Sequence, residues 1–170
     1  MTHTSHWGTF LDALPKTSPV ADAILESWLR CRAAGLDRAL HADHFRSVDP
    51  ADLAERLQRN TELVAIARSH LDWLGAQLAT VPHVVYLVDE DGIVLLSSGD
   101  PDLIAYAHLA PGADWSERTM GTNGAGTAIA SRRPVAVVGP DHFDQRWHDC
   151  TCTAAPIHRP DGGVIGAVDV

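Results

Sequence analysis

The spacing of apolar residues changes once along the chain, at Pro82. Before it, apolar positions recur every three or four residues; after it, they come in short β-branched runs. In the first part, Ile24, Leu25, Trp28 and Leu29 form a stripe that predicts a helix. Ser18-Pro19 supplies a cap with proline at the first helical position, and Gly35 stands where a C-terminal glycine ends such a helix. The connection DRALHADHFRS has no clear period. A second helix is marked by Asp49 as cap, Pro50 behind it and Asp52 in the first turn. One face from there carries Leu53, Leu57, Asn60, Val64, Ala67, Leu71, Leu74 and Leu78, at alternating spacings of four and three. This predicts one long helix over 49–81. Its apolar face either packs on the rest of the domain or forms a dimer seam with Asn60 fixing register, and the two uses are compatible.

Beyond Pro82 the pattern predicts strands. VVYLV (84–88) and IVLLSS (93–98) are joined by Asp89-Glu90-Asp91-Gly92, a hairpin signal. A short helix is expected over 103–108, and a small-residue helix over 125–131 opened by Gly121, Gly124 and Gly126. A third strand covers 134–139, a short helical pattern follows from His142, and the strand TAAPIH turns at Pro160-Asp161-Gly162-Gly163 into VIGAVDV. The order β-β-α-β-α-β-β behind two N-terminal helices is α+β with a mostly antiparallel sheet of about five or six strands. Three segments follow: a helical segment over 1–48, the long helix over 49–81, and a sheet domain over 82–170.

Composition narrows the function. At 45% hydrophobic and 21% charged residues the chain is ordinary for a globular domain. A net charge of −9 argues against the chain itself gripping nucleic acid, because phosphate binding needs a basic face. No apolar run is long enough to span a bilayer, and MTHTSHWGTF lacks the regions of a signal peptide. Three cysteines, two of them only two residues apart, fit a reduced, cytoplasmic setting. No membrane contact is expected.

The chemistry-bearing residues gather in HFDQRWHDCTCTAAPIH, residues 142–158, with His142, His148, His158, Cys150 and Cys152. Four uses are open. Zinc sites prefer cysteines with two to four residues between them, and C-x-C has only one. A cysteine nucleophile needs a held base, and His148 lies four residues before Cys152. Two close thiols could oxidise reversibly, although a C-x-C disulfide is strained. Apolar Phe143, Trp147, Cys152, Ala154 and Ile157 around one histidine also make a usual small-ligand wall. The cluster G-T-N-G-A-G (121–126) matches neither a dinucleotide fingerprint nor a P-loop. It opens a helix that Thr122 or Asn123 caps, and it serves either close packing or a ligand. Trp115, Glu117 and Arg118 precede it as a loop. Trp28 and Trp73 are expected in core or interface, Cys31 in a structural role, and His3, His6, His41 and His44 at the surface.

The run W-S-E-x-x-M-G-T-N-G-A-G-T-A-I-A-S-x-R-P-V-x-V-x-G, followed by D-H-F-x-x-x-W-H-D-C-T-C-T-A-A-P-I-H-x-P-D-G-G-V-I-G-A-V-D-V, resembles the N-terminal sensory GAF domain of bacterial transcriptional regulators of the acetoin-catabolism activator (AcoR) type. E-S-W-L-R-C-R-A-A-G-L-D (26–37) is similar to the helical motif near the start of such regulators. The resemblance implies an antiparallel sheet with helices on one side and a small-molecule pocket on the other, and a closing helix beyond Val170. It implies no cofactor and no catalysis. It also implies output domains outside this chain, a helix-turn-helix DNA reader with or without a sigma-54-dependent ATPase. The effector, a small alcohol, ketone or related metabolite, would meet the loops 115–123 and 143–152. The contacts expected there are Trp115, Met120, Thr122, Asn123, Phe143, Trp147, His148 and Cys152. The position of Cys150 is commonly aromatic in such domains, which makes the C-x-C pair a local feature. The alternatives are a thiol- or metal-based redox sensor, or a methionine sulfoxide reductase-like enzyme using Cys150 and Cys152. A homodimer is expected, with DNA reached only through the output domains.

Overall fold

A computed structural model describes residues 19–38 and 45–170. The cap at Ser18, the histidines His3, His6, His41 and His44, and part of the connection after the first helix lie outside the described residues. Helix α1 spans Pro19–Ala33. It stops as the sequence predicts: Gly35 has φ 75°, and the amide of Leu36 turns back to the Cys31 carbonyl at 3.1 Å. Ile24 and Trp28 are buried with Ala23 and Cys31, whereas Leu29 remains exposed.

The long helix expected over 49–81 is two helices, α2 (Pro50–Arg59) and α3 (Thr61–Gln77). Asp49 caps α2 as expected, its carboxylate accepting from the amides of Ala51 and Asp52 at 2.9 Å. The break falls on Asn60, at φ −105° and ψ 19°. Its side-chain amide donates to the Arg56 carbonyl at 2.9 Å, and Thr61 Oγ1 donates to the Gln58 carbonyl at 2.8 Å. These local bonds supply partners for helix-end carbonyls, so the ladder stops without leaving them orphaned. Asn60 therefore ends a helix in the described structure, where the sequence pattern had given it the register position of a seam.

Strands β1 (Val84–Asp89), β2 (Val94–Gly99), β3 (Val135–Val138), β4 (Thr151–His158) and β5 (Val164–Asp169) form one sheet in the order β2-β1-β5-β4-β3. Every neighbouring pair is antiparallel. The Asp89–Gly92 signal does make the β1–β2 hairpin. Gly92, at φ 89°, is required there because a Cβ would lie 2.7 Å from the Ser116 backbone. Arg56 of α2 holds this turn, donating to Asp89 Oδ2 at 2.7 Å and Asp91 Oδ2 at 2.9 Å. Three short helices complete the fold: α4 (Pro101–Tyr106), α5 (Glu117–Met120) and α6 (Gly124–Ser131). The helical pattern expected from His142 is two separate 3₁₀ turns, Gly139–Asp141 and Gln145–Trp147.

Alternate residues of a strand face opposite sides, so each side of β1 has its own core. Val85 and Leu87, with Leu95, pack against Ala67 and Leu71 of α3. The apolar face of α3 is thus spent on its own sheet. Val84, Tyr86 and Val88 face the other way, into a cluster with Trp115, Met120, Ala125, Phe143, Trp147 and Ala154. Burial of both faces is what a strand without alternation implies: all six residues of β1 are buried.

Candidate effector cavity

On the aromatic side, the sheet and the segments crossing it do not close completely. A cavity of about 570 Å³ remains, inside the usual range for small-ligand sites, about 300–1,000 Å³. Tyr86 of β1 and Cys152 of β4 line it from the sheet. Trp115 lines it from the loop before α5, Trp147 from the second 3₁₀ turn, and Leu103 and Tyr106 from α4. The aromatic rings hold one another: Trp115 and Trp147 have centroids 5.4 Å apart, and Tyr106 meets Trp147 edge-on at 5.8 Å.

Polar groups on the wall include His83, Asp149, Cys150 and Thr151 as well as His142 and Cys152. His142 is buried and lies on the cavity. Its Nδ1 is 3.0 Å from the Gly139 carbonyl and so carries the proton, leaving Nε2 to accept from Cys152 Sγ at 3.4 Å. Burial pushes its pKa down, which keeps the ring neutral. Burial raises the Cys152 thiol well above its usual range, with the Asp169 carboxylate adding to the shift, and burial also raises Cys150. Neither thiol is prepared as a thiolate. Trp115 Nε1 donates to the His108 carbonyl at 3.3 Å. Trp147 Nε1 is buried and has no partner.

Behind the wall sits a carboxylate that no motif announced. Asp169 of β5 is fully buried; Tyr86 donates its hydroxyl to Oδ2 at 2.6 Å, and the Ala125 amide donates to the same oxygen at 2.8 Å. Burial raises its pKa from 3.8 to about 6, against the opposing pull of these hydrogen bonds. The approach to the start of α6 is close enough that a Cβ on Gly124 would overlap the carboxylate. An acid at an inward position of a final strand, VIGAVDV, was the available signal.

Of the eight residues expected to touch an effector, the structure places Trp115, Trp147 and Cys152 on the cavity. The other five lie off its wall. Met120 is in the core. Thr122 bonds Ser27 of α1 at 2.6 Å, and Asn123 caps α6 by accepting from the Gly126 amide at 2.8 Å. Phe143 packs over Gly121, and Arg38 lies 5.6 Å from its ring. His148 faces the His142 carbonyl and Arg38. The expected contacts leave out Leu103, Tyr86, Tyr106 and also His142, although His142 stands in the histidine–cysteine stretch. Of the histidine–cysteine stretch, His142, Cys150 and Cys152 reach the cavity, and among the described residues no group of three or more His, Cys, Asp or Glu is placed to hold a metal ion.

The comparison with known proteins agrees with this geometry. The GAF domain family model matches residues 52–170, which takes in α3 and most of α2 as well as the sheet. The chain is 30% identical over 168 residues to the acetoin dehydrogenase operon transcriptional activator of Bacillus subtilis, covering 96% of this chain and 28% of that protein. It is 34% identical over 154 residues to the acetoin catabolism regulatory protein of Cupriavidus necator, covering 88% of this chain and 23% of the relative. It therefore spans about a quarter of the length of these relatives. A crystal structure of the E. coli DhaR(N)–DhaL complex superposes with a TM-score of 0.79 at 21% identity, over 86% of this chain and 50% of that one, which shows a shared fold. With its antiparallel sheet, its cavity and the matched span in agreement, the chain belongs to the GAF domain family.

Proposed function

We propose that this chain is the effector-sensing domain of a transcriptional regulator: a small molecule enters the aromatic cavity, and the change is passed to output domains outside this chain. The observation that carries the reading is the cavity itself, about 570 Å³ between β1, β4 and the segments bearing Trp115 and Trp147. The relatives' names, activators and regulators of operons, support a transcriptional output. In this reading the domain binds without catalysis, acts in the cytoplasm, and reaches DNA only through its output domains, a helix-turn-helix with or without a sigma-54-dependent ATPase. The effector differs in its affinity for two arrangements of the cavity segments, and that difference is the signal. A homodimer belongs to the same proposal. Because the inner face of α3 is covered by its own sheet, the exposed Ile66 and Trp73 on its outer side are the surface for a second copy.

The test is a thermal-shift and calorimetric screen of neutral, acidic and basic metabolites against the chain, with sedimentation to measure its oligomeric state. A saturable shift with at least one compound, weakened by Trp115→Ala, is expected. No response from any class would overturn the reading. A thiol-based sensor or reductase draws support from one fact, that Cys150 and Cys152 both line the cavity. The raised pKa of each thiol weighs against it. Replacing both by serine should leave ligand binding intact in the first reading and abolish the response in the second.

A further inference from the structure

We propose that Asp169 is a proton-operated clasp: protonated, it holds β1, β5 and the start of α6 together, and ionised, it releases the start of α6. Acidity is then a second input beside the effector, and the clasp works whether or not a compound enters the cavity.

A comparison among buried aspartates leads there. Asp89, Asp144 and Asp169 are the buried aspartates of the described residues. Two of them have an arginine: Arg56 Nη1 reaches Asp89 Oδ2 at 2.7 Å, and Arg146 Nε reaches Asp144 Oδ2 at 2.7 Å. Among the described residues no cation pairs with Asp169. Its Oδ2 accepts from two neutral donors, the Tyr86 hydroxyl at 2.6 Å and the Ala125 amide at 2.8 Å. Its Oδ1 is buried and accepts from none of the described residues. The nearby amides of Thr153 and Val170 are bonded to each other's carbonyls, at 3.0 and 3.2 Å. A buried carboxylate without a cation takes up a proton more readily than one in water, in line with a pKa raised to about 6 by burial.

The elements packed around the carboxylate are β1, β4 and α6. β1 presents Tyr86, and β4 presents Cys152, a thiol kept neutral and bonded to the neutral His142. The exposed His158 of β4 pairs with Val164 at the other end of β5, and α6, GAGTAIAS, has no ionisable side chain. Space is tight, since a Cβ on Gly124 would overlap both carboxylate oxygens. Water therefore reaches an ionised Oδ1 only when the start of α6 moves away. Directly before that start, Asn123 caps α6, and Thr122 bonds Ser27 of α1 at 2.6 Å. Release at Ala125 is thus felt at α1, while the opposite end of the clasp, Tyr86, is a residue of the cavity wall.

The experiment is an amide NMR titration of the 170-residue chain between about pH 4.5 and 8. The Ala125 amide, bonded to the carboxylate, should titrate with a midpoint of about 6. Its hydrogen exchange, corrected for the intrinsic effect of pH, should be roughly tenfold faster above the midpoint than below it. Asp169→Asn keeps an oxygen for both donors and removes the charge, so its Ala125 signal should stay flat and its exchange slow. An Ala125 amide that does not titrate in the native chain, or titrates alike in the variant, would overturn the proposal, and so would exchange that fails to quicken with the titration. Should Asp169→Asn fail to fold, Tyr86→Phe supplies the second reading. It removes a donor to the ionised form and should move the midpoint up by about one pH unit. An unmoved or lowered midpoint there counts against the clasp. Silence from every metabolite class sinks the sensor reading and leaves the clasp standing; a flat Ala125 signal in a chain that binds a metabolite sinks the clasp alone.

Discussion

The two faces of the sheet bury similar strands and do different things with them. On one face Val85, Leu87 and Leu95 meet Ala67 and Leu71, all aliphatic or small side chains from one regular helix, and the layer closes. On the other, Val84, Tyr86 and Val88 meet aromatic rings delivered by loops, short helices and two 3₁₀ turns, and the layer stays open around about 570 Å³. A continuous helix presents side chains at a fixed spacing and can interdigitate with a sheet. Large flat rings on separate loops cannot fill space so evenly. Closure and binding are thereby assigned to opposite sides of the same strands.

Breaking the closed face should have the largest effect. Leu71→Ala removes a side chain that is 1% exposed and should cost about 3 kcal/mol in urea unfolding, while a cavity ligand binds the folded fraction as before. On the open face the buried Asp169 should give a comparable change driven by pH. Its folded pKa, about 6, lies above the 3.8 of the unfolded chain. Its contribution to stability is therefore fully present below pH 3.8, declines as pH rises between about 4 and 6, and is lost above. The amount is ~3 kcal/mol, and the stability curves of the native chain and Asp169→Asn should diverge by about this total across that window, at no more than roughly 1.4 kcal/mol per pH unit. A smaller effect belongs to the ion pair that fastens α1 to α5. Arg30 Nε lies 2.7 Å from Glu117 Oε1, but its side chain is 40% exposed, so Arg30→Ala should cost about 1 kcal/mol and less in high salt. The smallest is Trp73→Ala on the outer side of α3. At 64% exposure it should change the stability of the monomer by less than about 0.5 kcal/mol. A large loss there would mean that α3 is held from outside and that the contrast between faces is misplaced.

Much of this arrangement is legible in the sequence, for physical reasons that differ by region. The hairpin at Asp89–Gly92, the small-residue helix α6 and the last two strands follow from turn residues and β-branched runs, which act locally. The break at Asn60 does not follow, because the three–four spacing of Leu57, Asn60, Val64, Ala67 and Leu71 is the same whether or not the helix is continuous. In the cavity, Trp115, Trp147 and Cys152 are legible as large or reactive residues in irregular segments. Met120, Thr122 and Asn123 point to a ligand only by neighbourhood; their hydrogen bonds and packing belong to the framework, and one-dimensional spacing cannot reveal that. The choice between His142 and His148 depends on two consecutive 3₁₀ turns, whose direction six residues of sequence do not specify. Tyr86 and Asp169 are 83 residues apart and meet only because β1 pairs with β5.

The segment 139–148 has a double attachment. It contributes His142 and Trp147 to the cavity, and it also receives the indole N–H of Trp28 on the Asp141 carbonyl at 2.8 Å. Arg38, just beyond α1, reaches the His142 carbonyl at 3.4 Å. Ten residues thus act as a hinge pin shared by a chamber and a strut. The wall cannot be displaced without altering the seat of the first helix, and a change arriving along that helix would reshape the chamber from the far end.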